Sequence, residues 1–331
     1  MNYPLKRGRL VGLALFCLGC FSFGNAASWG QDLLGMPTPR DPNYPGSIVL
    51  HGGGAITDDV FNRFIELAGG KTARIVFVPC AGYRREWYDS DEECIAALSY
   101  RYGSWPALVR QGRVKSFQFL FTDDPDDADD EDFCKPLESA TGVWFSGGAQ
   151  SRLNYRFVGD YPTQTRFQKL LRVVLERGGA IGGTSAGTAA IPEIMTMWDE
   201  RSYADAPATA VPAHGLGLMS RAIVEQHFDA RGGRLERFTR LLRDSTQLDE
   251  LAGRRGAGEQ MIGLAVEEDT ALIARGNSLQ VLGSGAAHVF MKSRLGRTMS
   301  WTELTPGETA WLTRSARGVT GIVYEEVALS R

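Results

Sequence analysis

The chain has 331 residues, of which 43% are hydrophobic and 23% are charged. This composition is typical of a globular protein and excludes disordered and collagen-like classes. The formal net charge is −3, so the chain lacks the basic excess that drives nucleic-acid binding, and we expect no nucleic-acid partner.

The N-terminal segment has the features of a secretory signal. Three basic residues and no acidic residue lie in the first nine positions, and a mainly apolar, uncharged run over 10–23 follows. This run is shorter than the about 20 residues of a membrane span, and small residues surround Ala26. We therefore predict a signal peptide over 1–26, no membrane span, and export to the periplasm or the medium. A lipid anchor at Cys20 is less favoured, because the residues before it match the lipoprotein pattern weakly.

The rest of the chain divides into a lead-in and one domain. Residues 27–46 are rich in proline and glycine, which predicts an extended segment outside the core. From position 47 onward, short apolar β-branched runs alternate with helical stretches, which predicts one domain over 47–331. The predicted strands of this alternating part are Ser47–Leu50, Ala73–Val78, Val114–Phe121, Gly142–Phe145, Ala180–Gly182, Ile223–Gln226 and Ile262–Val266.

Strand and helix alternation predicts the fold class. The clearest helix is Thr163–Arg177, whose apolar residues repeat with helical spacing before Gly178. Buried strands separated by helices indicate an α/β protein, a three-layer α/β/α sandwich around a mostly parallel sheet. After Asp269 the helical periodicity ends, and short antiparallel strands are expected to complete the same domain. Those strands are Leu272–Ala274, Leu279–Leu282, His288–Met291 and Thr309–Leu312.

Two local patterns favour structural interpretations. Residues 123–132 hold eight carboxylates in ten positions, but they lack EF-hand spacing, so a solvated loop leading into a helix is favoured over a calcium site. Three cysteines remain after signal cleavage, at positions 80, 94 and 134, without the spacing of a zinc site. We expect buried thiols, and a bridge between Cys94 and Cys134 stays open.

A candidate nucleophile lies in the motif Gly183–Gly187, which reads G-x-S-x-G around Ser185. A short strand precedes the serine, and the segment 188–197 is predicted to be helical despite Pro192. A strand, a sharp turn and a helix expose a serine hydroxyl for nucleophilic attack. The alternative is a tight turn with an incidental serine.

A serine nucleophile needs a base, and the chain has four histidines. His227 follows the strand 223–226 among polar neighbours, and catalytic groups of open α/β sheets gather at such strand ends. The acidic triplet 267–269 follows another strand and offers an acid that could orient the imidazole. The pattern predicts a nucleophile, base and acid at one edge of the sheet.

Several blocks together resemble a known family, the cyanophycinases and related aspartyl dipeptidases. These blocks occur in the family's order over roughly 47–315; they are Ile48–Gly54, Phe145–Gln150, Gly182–Gly187, Gly215–Leu218 with Glu225–Phe228, and Gly263–Ala271. The resemblance implies a serine peptidase on a class I glutamine-amidotransferase-like fold. It implies Ser185 as nucleophile, His227 as base and Glu268 as orienting acid, and it implies backbone donors to the oxyanion at Gly148 and Ala186.

The resemblance also implies a substrate and the residues that bind it. Cyanophycinases bind a polymer with an aspartate backbone and arginine-bearing side chains. Of the residues that the resemblance implies for substrate binding, Gln150, Gln226 and Arg231 match the family, Glu225 replaces an Asp conservatively, and Arg234 is included although its position is shifted. Arg234 and Arg237 are displaced by one position, and Ala149 stands where the family has Asp. The expected reaction is hydrolysis of aspartyl peptide bonds of the β-Asp-Arg type through an acyl-enzyme. It requires a peptide substrate and neither cofactor nor metal, and a homodimer is an assembly that the sequence leaves open.

Two other functions remain in view. In a lipase-like α/β-hydrolase esterase, His51-Gly52-Gly53-Gly54 would form the oxyanion loop and His288 would be the base. A separate alternative concerns Arg237 alone: instead of binding substrate, it could lie on the solvated face of its helix. A non-catalytic binding protein on the same fold is the second alternative function, and labelling by a serine-reactive phosphonate would separate it from an enzyme.

Overall fold

A computed structural model describes residues 46–198, 210–292, 298–315 and 318–324. The predicted signal peptide and nearly all of the predicted lead-in lie outside the described residues. Within them, the strands are β1 (Ser47–His51), β2 (Arg74–Val78), β3 (Ser116–Phe119), β4 (Gly142–Phe145), β5 (Ala180–Thr184), β6 (Ile194–Trp198), β7 (Ala210–His214), β8 (Ala222–Glu225), β9 (Ile262–Val266), β10 (Thr270–Arg275), β11 (Ser278–Gly283), β12 (Ala287–Lys292), β13 (Met299–Leu304), β14 (Thr309–Ser315) and β15 (Gly318–Tyr324).

The helices of the same part of the chain lie mostly between the first nine strands. They are α1 (Asp58–Leu67), α2 (Asp91–Arg101), α3 (Ser104–Arg110), α4 (Glu131–Ser139), α5 (Gln150–Phe157), α6 (Arg166–Glu176), α7 (Ala186–Ala190), α8 (Arg234–Arg243), α9 (Ser245–Leu251) and α10 (Ala257–Gln260). Short 3₁₀ turns occur at Gly70–Thr72, Arg85–Trp87 and Pro125–Ala128. Among these described elements, we find no helix with the length and apolar character that crossing a bilayer requires.

The larger sheet has nine strands in the order β15-β14-β11-β10-β1-β5-β4-β2-β3. Its central and distal strands β1, β5, β4, β2 and β3 are parallel, and β10 pairs antiparallel with β1. Alternate residues of β1 enter two cores: Val49 packs on the side of α1 and α3, whereas Ile48 and Leu50 pack with α4 and α6. Both sheet faces are therefore covered, which confirms the predicted α/β/α fold class.

The C-terminal strands divide between two sheets. Strands β10, β11, β14 and β15 extend the large sheet by antiparallel pairing. Strands β8 and β9 pair in parallel, and β12 and β13 complete a separate four-stranded sheet in the order β13-β12-β9-β8. The predicted late strands all fall within observed strands, but His288–Met291 joins this second sheet together with the earlier strands at 223–226 and 262–266.

The helix predicted after Ser185 is shorter than the sequence suggested. Helix α7 ends at Ala190, and β6 pairs antiparallel with β7 instead of continuing the helix over 188–197. Pro192 has no backbone N–H, so it cannot donate the hydrogen bond that would continue the helix. The β-branched Ile194 and Thr196 then favour an extended strand. By contrast, the predicted helix 163–177 is α6, which begins at a capping box formed by Thr165 and Gln168.

The structure shows which local contacts the acidic run 123–132 makes and whether the cysteines are bridged. Asp130 caps α4 by accepting a hydrogen bond from the backbone N–H of Phe133, so the run leads into a helix as predicted. The side chain of Asp123 pairs with the buried guanidinium of Arg156. Cys80, Cys94 and Cys134 are buried and free. The bridge between Cys94 and Cys134 that the sequence left open is therefore not formed.

Candidate active site

Ser185 lies in a sharp turn between β5 and α7. Its φ of 53° and ψ of −117° place a non-glycine residue in a strained region of backbone space. The turn needs small neighbours: a Cβ at Gly183 would lie 2.5 Å from the carbonyl carbon of Gly187, and one at Gly187 would lie 2.6 Å from the Phe145 oxygen. The backbone N–H of Ser185 donates to the carbonyl of His51 at 3.0 Å, which holds the turn against β1.

The structure brings His227 and Glu268 to this serine. The distance from Ser185 Oγ to His227 Nε2 is 2.7 Å, and His227 Nδ1 hydrogen-bonds to Glu268 Oε1. A carboxylate accepting from Nδ1–H fixes the tautomer in which Nε2 is free to accept the serine proton. Ser185 follows β5 of the large sheet, whereas His227 and Glu268 follow β8 and β9 of the small sheet.

His227 is nearly buried, and its surroundings lower its pKa. Burial is the largest cause, the hydrogen bond to Glu268 opposes it, and the positive charges of Arg231 and Arg234 lower the pKa further. The imidazole is therefore neutral around neutral pH and can accept a proton.

The glycine run after β1 makes room for the imidazole, a role that the sequence analysis missed. A Cβ at Gly53 would lie 2.1 Å from His227 Cε1, and the Gly52 carbonyl accepts the His227 backbone N–H at 2.8 Å. A Cβ at Gly52 would lie 1.9 Å from the carbonyl oxygen of Glu267. Three consecutive glycines directly after a buried strand were the available signal for such a close approach.

Each of the two predicted oxyanion donors, Gly148 and Ala186, lies in a segment that approaches the serine. Gly147 lies close to Ser185: a Cβ built on Gly147 would lie 3.3 Å from the Ser185 Cβ and 3.8 Å from its Oγ. Gly148 follows with a φ of 147°, and Ala186 is the first residue of α7, where backbone N–H groups have no partner within the helix. The loop is fixed from behind by the N–H of Ala149, which donates to the Ala81 carbonyl at 2.9 Å.

The three acidic residues after β9 have three different contacts. Glu268 contacts His227, whereas Glu267 accepts from His288 Nε2 at 2.8 Å. Asp269 adopts a φ of 54°, its side chain accepts the Ala55 N–H, and its own N–H donates to the Gly53 carbonyl at 2.8 Å. Asp269 thus joins the acidic segment to the glycine run.

Asp229 is a further residue that the sequence analysis did not assign. Its Oδ1 accepts the backbone N–H of Glu268 at 2.9 Å, so it links the segment after His227 to the segment carrying the acid. The signal for this contact was weak, because an aspartate two residues beyond a histidine has many structural explanations.

Most predicted substrate-binding side chains are buried and engaged with the protein. Gln150 donates to the Thr196 carbonyl at 3.0 Å, and Gln226 accepts from Arg234 at 3.2 Å. Arg234 also lies 2.6 Å from Glu225, which is fully buried. Arg231 alone among the five predicted positions is exposed.

Arg237 completes the buried ionic cluster around Glu225. Its Nε and Nη2 atoms donate to the two Glu225 oxygens at 2.9 and 2.7 Å, and its side chain is 2% exposed. The solvated helix face that the sequence left open for Arg237 is therefore wrong. A guanidinium on a helix next to a buried carboxylate can turn inward, which the sequence pattern alone does not reveal.

The other three histidines have different partners. His51 Nδ1 lies 2.7 Å from Thr184 Oγ1, and burial lowers the pKa of His51 to about 4. His214 stacks on Tyr161 with ring centroids 4.5 Å apart. His288, the base of the esterase alternative, pairs with Glu267 instead. The described residues show no cluster of histidine, cysteine or acidic side chains suited to a metal ion.

The chain is similar in sequence to known proteins. The family model of peptidase family S51 matches residues 48–282. The chain is 26% identical over 264 residues to a cyanophycinase from Synechococcus elongatus, covering 78% of this chain and 72% of that protein. It is 29% identical over 245 residues to a cyanophycinase from Geminocystis herdmanii, covering 74% and 77% respectively.

A solved structure shares the fold. The crystal structure of a peptidase from an acI-B1 Actinobacterium superposes with a TM-score of 0.54 at 20% sequence identity. The match covers 80% of this chain and 96% of that one. The α/β architecture around the candidate site therefore recurs in a protein of low sequence identity.

Proposed function

Because the chain belongs to peptidase family S51 and is a serine-type peptidase, we propose that Ser185, His227 and Glu268 form its catalytic triad. The observation that carries the proposal is the 2.7 Å distance between Ser185 Oγ and His227 Nε2, with Glu268 on the other ring nitrogen. A nucleophile, a base and an orienting acid in this geometry, beside two backbone donors, suit acyl transfer.

The mechanism follows from these positions. Ser185 Oγ bonds to the scissile carbonyl carbon as its proton passes to His227 Nε2, and Glu268 stabilises the imidazolium. The N–H groups of Gly148 and Ala186 stabilise the oxyanion, a contribution of about 3–4 kcal/mol each. His227 then donates the proton to the leaving amine, which leaves an acyl-enzyme ester. Water attacks this ester with His227 again as base, and release of the acid restores the Ser185 hydroxyl.

The substrate class in the proposal is peptides cleaved at aspartyl residues. The support is the similarity to cyanophycinases over about three quarters of the chain, together with the exposed Arg231, whose positive charge acts on His227. An exposed guanidinium four residues after the base suits a carboxylate next to the scissile bond. Bonds of the β-Asp-Arg type are the first candidates, and incubation of the protein with cyanophycin and with short aspartyl peptides, followed by product identification, tests them.

A serine-reactive phosphonate tests the triad. We expect labelling of the wild type and none of Ser185→Ala. His227→Ala should lower kcat by several orders of magnitude, whereas His288→Ala should lower it far less, because His288 pairs with Glu267 and not with the serine. An inactive His288→Ala variant with an active His227→Ala variant would replace this triad by that of the esterase alternative.

The proposed compartment is the periplasm or the medium. The support is the basic, then apolar, then small-residue pattern of the first 27 residues. The cysteines are compatible with an oxidising compartment, since burial raises the pKa of Cys80 and of Cys134 to about 11. Buried thiols with little thiolate oxidise slowly.

A further inference from the structure

The imidazole of His51 lies against the end of the strand that carries Ser185. His51 is the last residue of β1, and Thr184, the last residue of β5, is its partner in the parallel pairing of the two strands. Across this pair, His51 Nδ1 lies 2.7 Å from Thr184 Oγ1. The residue directly before the nucleophile is therefore attached by its side chain to the neighbouring strand.

The backbone of His51 contacts the rest of the turn. Its carbonyl accepts the N–H of Ser185 at 3.0 Å and the hydroxyl of Thr188, in α7, at 2.8 Å. His51 thus contacts the chain before the nucleophile, at it and after it. The φ of 53° at Ser185 is a conformation that a non-glycine residue keeps only where its surroundings impose it, and these contacts are part of those surroundings.

A histidine at this position is unfavourable for stability. His51 is fully buried, and its Nε2 has no hydrogen-bond partner of normal geometry among the described residues. Burial lowers the pKa of the ring to about 4, so the imidazole is neutral in the pH range where His227 can act as a base. An aliphatic side chain would fill the same place without leaving a polar atom unpaired. The presence of a polar ring beside the nucleophile therefore indicates a role other than stability.

We propose that His51 is a positioning residue for the nucleophile: through its hydrogen bond to Thr184 it holds the turn in the conformation that brings Ser185 Oγ to 2.7 Å from His227 Nε2. The inference rests on the proposed function. Loss of the bond leaves the three triad side chains present and displaces only the attacking oxygen. The rate of the chemical step should therefore fall more than substrate binding.

The test compares His51→Asn with His51→Leu, whose side chains have the same branched shape. Asparagine places a polar atom at the δ position, where Nδ1 lies, and can bond to Thr184, whereas leucine places a methyl group there. We expect His51→Leu to lower kcat, and the rate at which a small phosphonate labels Ser185, by about 10- to 100-fold with KM nearly unchanged. His51→Asn should retain most of both rates.

The partner of the bond is tested by Thr184→Val. This variant should lower kcat and the labelling rate as much as His51→Leu does. The double variant should be no slower than either single variant, because each change removes the same bond. Thr184→Val replaces only a hydroxyl by a methyl group, so it also decides the matter if His51→Leu does not fold: labelling of Thr184→Val at the wild-type rate overturns the inference.

Urea unfolding curves separate positioning from a role in stability. The double variant should unfold at about the wild-type midpoint and still be slow, since replacing both partners of a buried hydrogen bond by apolar groups is nearly neutral for stability. A lower midpoint with a wild-type labelling rate would show a structural role and overturn the inference, as would His51→Asn being as slow as His51→Leu. His214→Leu is the matched control: this histidine stacks on Tyr161, and its variant should be labelled at the wild-type rate. A wild type that is not labelled overturns the proposed triad itself, whereas a labelled wild type with an equal rate in His51→Leu overturns the positioning role alone.

Discussion

His227 is held between groups with opposite effects on its affinity for a proton. Burial and two nearby arginines lower its pKa, and the hydrogen bond to Glu268 raises it, with the lowering effects dominant. A base must be unprotonated to act, so activity should rise with pH through the pKa of this histidine. Because that pKa is lowered, the neutral form extends into mildly acidic solution.

We predict that the acid limb of the kcat/KM profile lies below the usual histidine pKa. Glu268→Gln should move this limb to still lower pH, because the group that raises the pKa loses its charge, and should also lower kcat. Initial rates across the pH range with an aspartyl peptide measure both effects. A wild-type limb above the usual histidine pKa would contradict the assignment of His227 as base.

Arg231 is the exposed member of the predicted substrate-binding set. We predict that Arg231→Ala lowers kcat/KM by about 10- to 1,000-fold, since a lost charged hydrogen bond costs about 1.5–3 kcal/mol and a stranded partner costs more. Labelling of Ser185 by a small phosphonate should persist. Arg231→Lys should restore activity only in part, because lysine cannot bind a carboxylate bidentately. Full activity in Arg231→Ala would remove the support for an aspartyl substrate.

The sequence named Ser185 and His227, and the family resemblance added Glu268, but neither named the groups that position these side chains. A strand end next to a polar residue is visible in the sequence, which is why Ser185, His227 and the acidic triplet 267–269 could be named; the choice of Glu268 within the triplet came from the resemblance. Asp269 adopts a positive φ, and its carboxylate accepts the Ala55 N–H whereas that of Glu267 pairs with His288. Such a turn at a non-glycine residue leaves no compositional mark.

At the level of elements, the loop after β1 is shaped by the imidazole that it contacts. We predict that Gly53→Ala lowers kcat by at least about 100-fold with the fold retained, because the new Cβ would occupy the place of the His227 ring. Gly70→Ala is the matched control: it has a positive φ, and its Cβ would meet nothing within 4 Å. Steady-state rates and circular dichroism of both variants measure the effect, and equal kcat values would contradict it.

The buried cluster around Glu225 joins strand β8 to helix α8. We predict that Glu225→Gln lowers the free energy of unfolding by about 3–5 kcal/mol, because two buried guanidinium groups lose their counter-charge. Glu236→Gln removes an exposed pair with Arg240 and should cost less than about 1 kcal/mol. Urea unfolding curves compare the two, and similar midpoints would show that the cluster contributes little.

Element types could be predicted better than their partners. The β-branched runs at β1, β2, β4 and β9 gave strands with bounds close to those observed, because burial on both faces leaves a local pattern. The division into two sheets could not be predicted, since pairing between β9 and β12 depends on contacts distant in sequence. The short α7 was mispredicted because the breaker Pro192 was given too little weight.

For the whole molecule, processing at the N-terminus is the open prediction. We expect the exported protein to begin near Ala27, because small residues there suit signal peptidase. Intact-mass measurement of the secreted or periplasmic protein gives the first residue. An N-terminus at a lipidated Cys20 would show that the chain is anchored instead.

The two sheets meet where the proposed triad forms. The backbone bonds that join them there run from His227 to Gly52 and from Asp269 to Gly53, each 2.8 Å long. The proposed nucleophile follows a strand of the large sheet and the proposed base follows a strand of the small one, so the rate of turnover depends on how the two sheets are positioned relative to each other. A displacement of about 1 Å between them is enough to cost about 100-fold in rate. Under gentle denaturing stress, peptide cleavage should therefore fail while both sheets still hold their secondary structure.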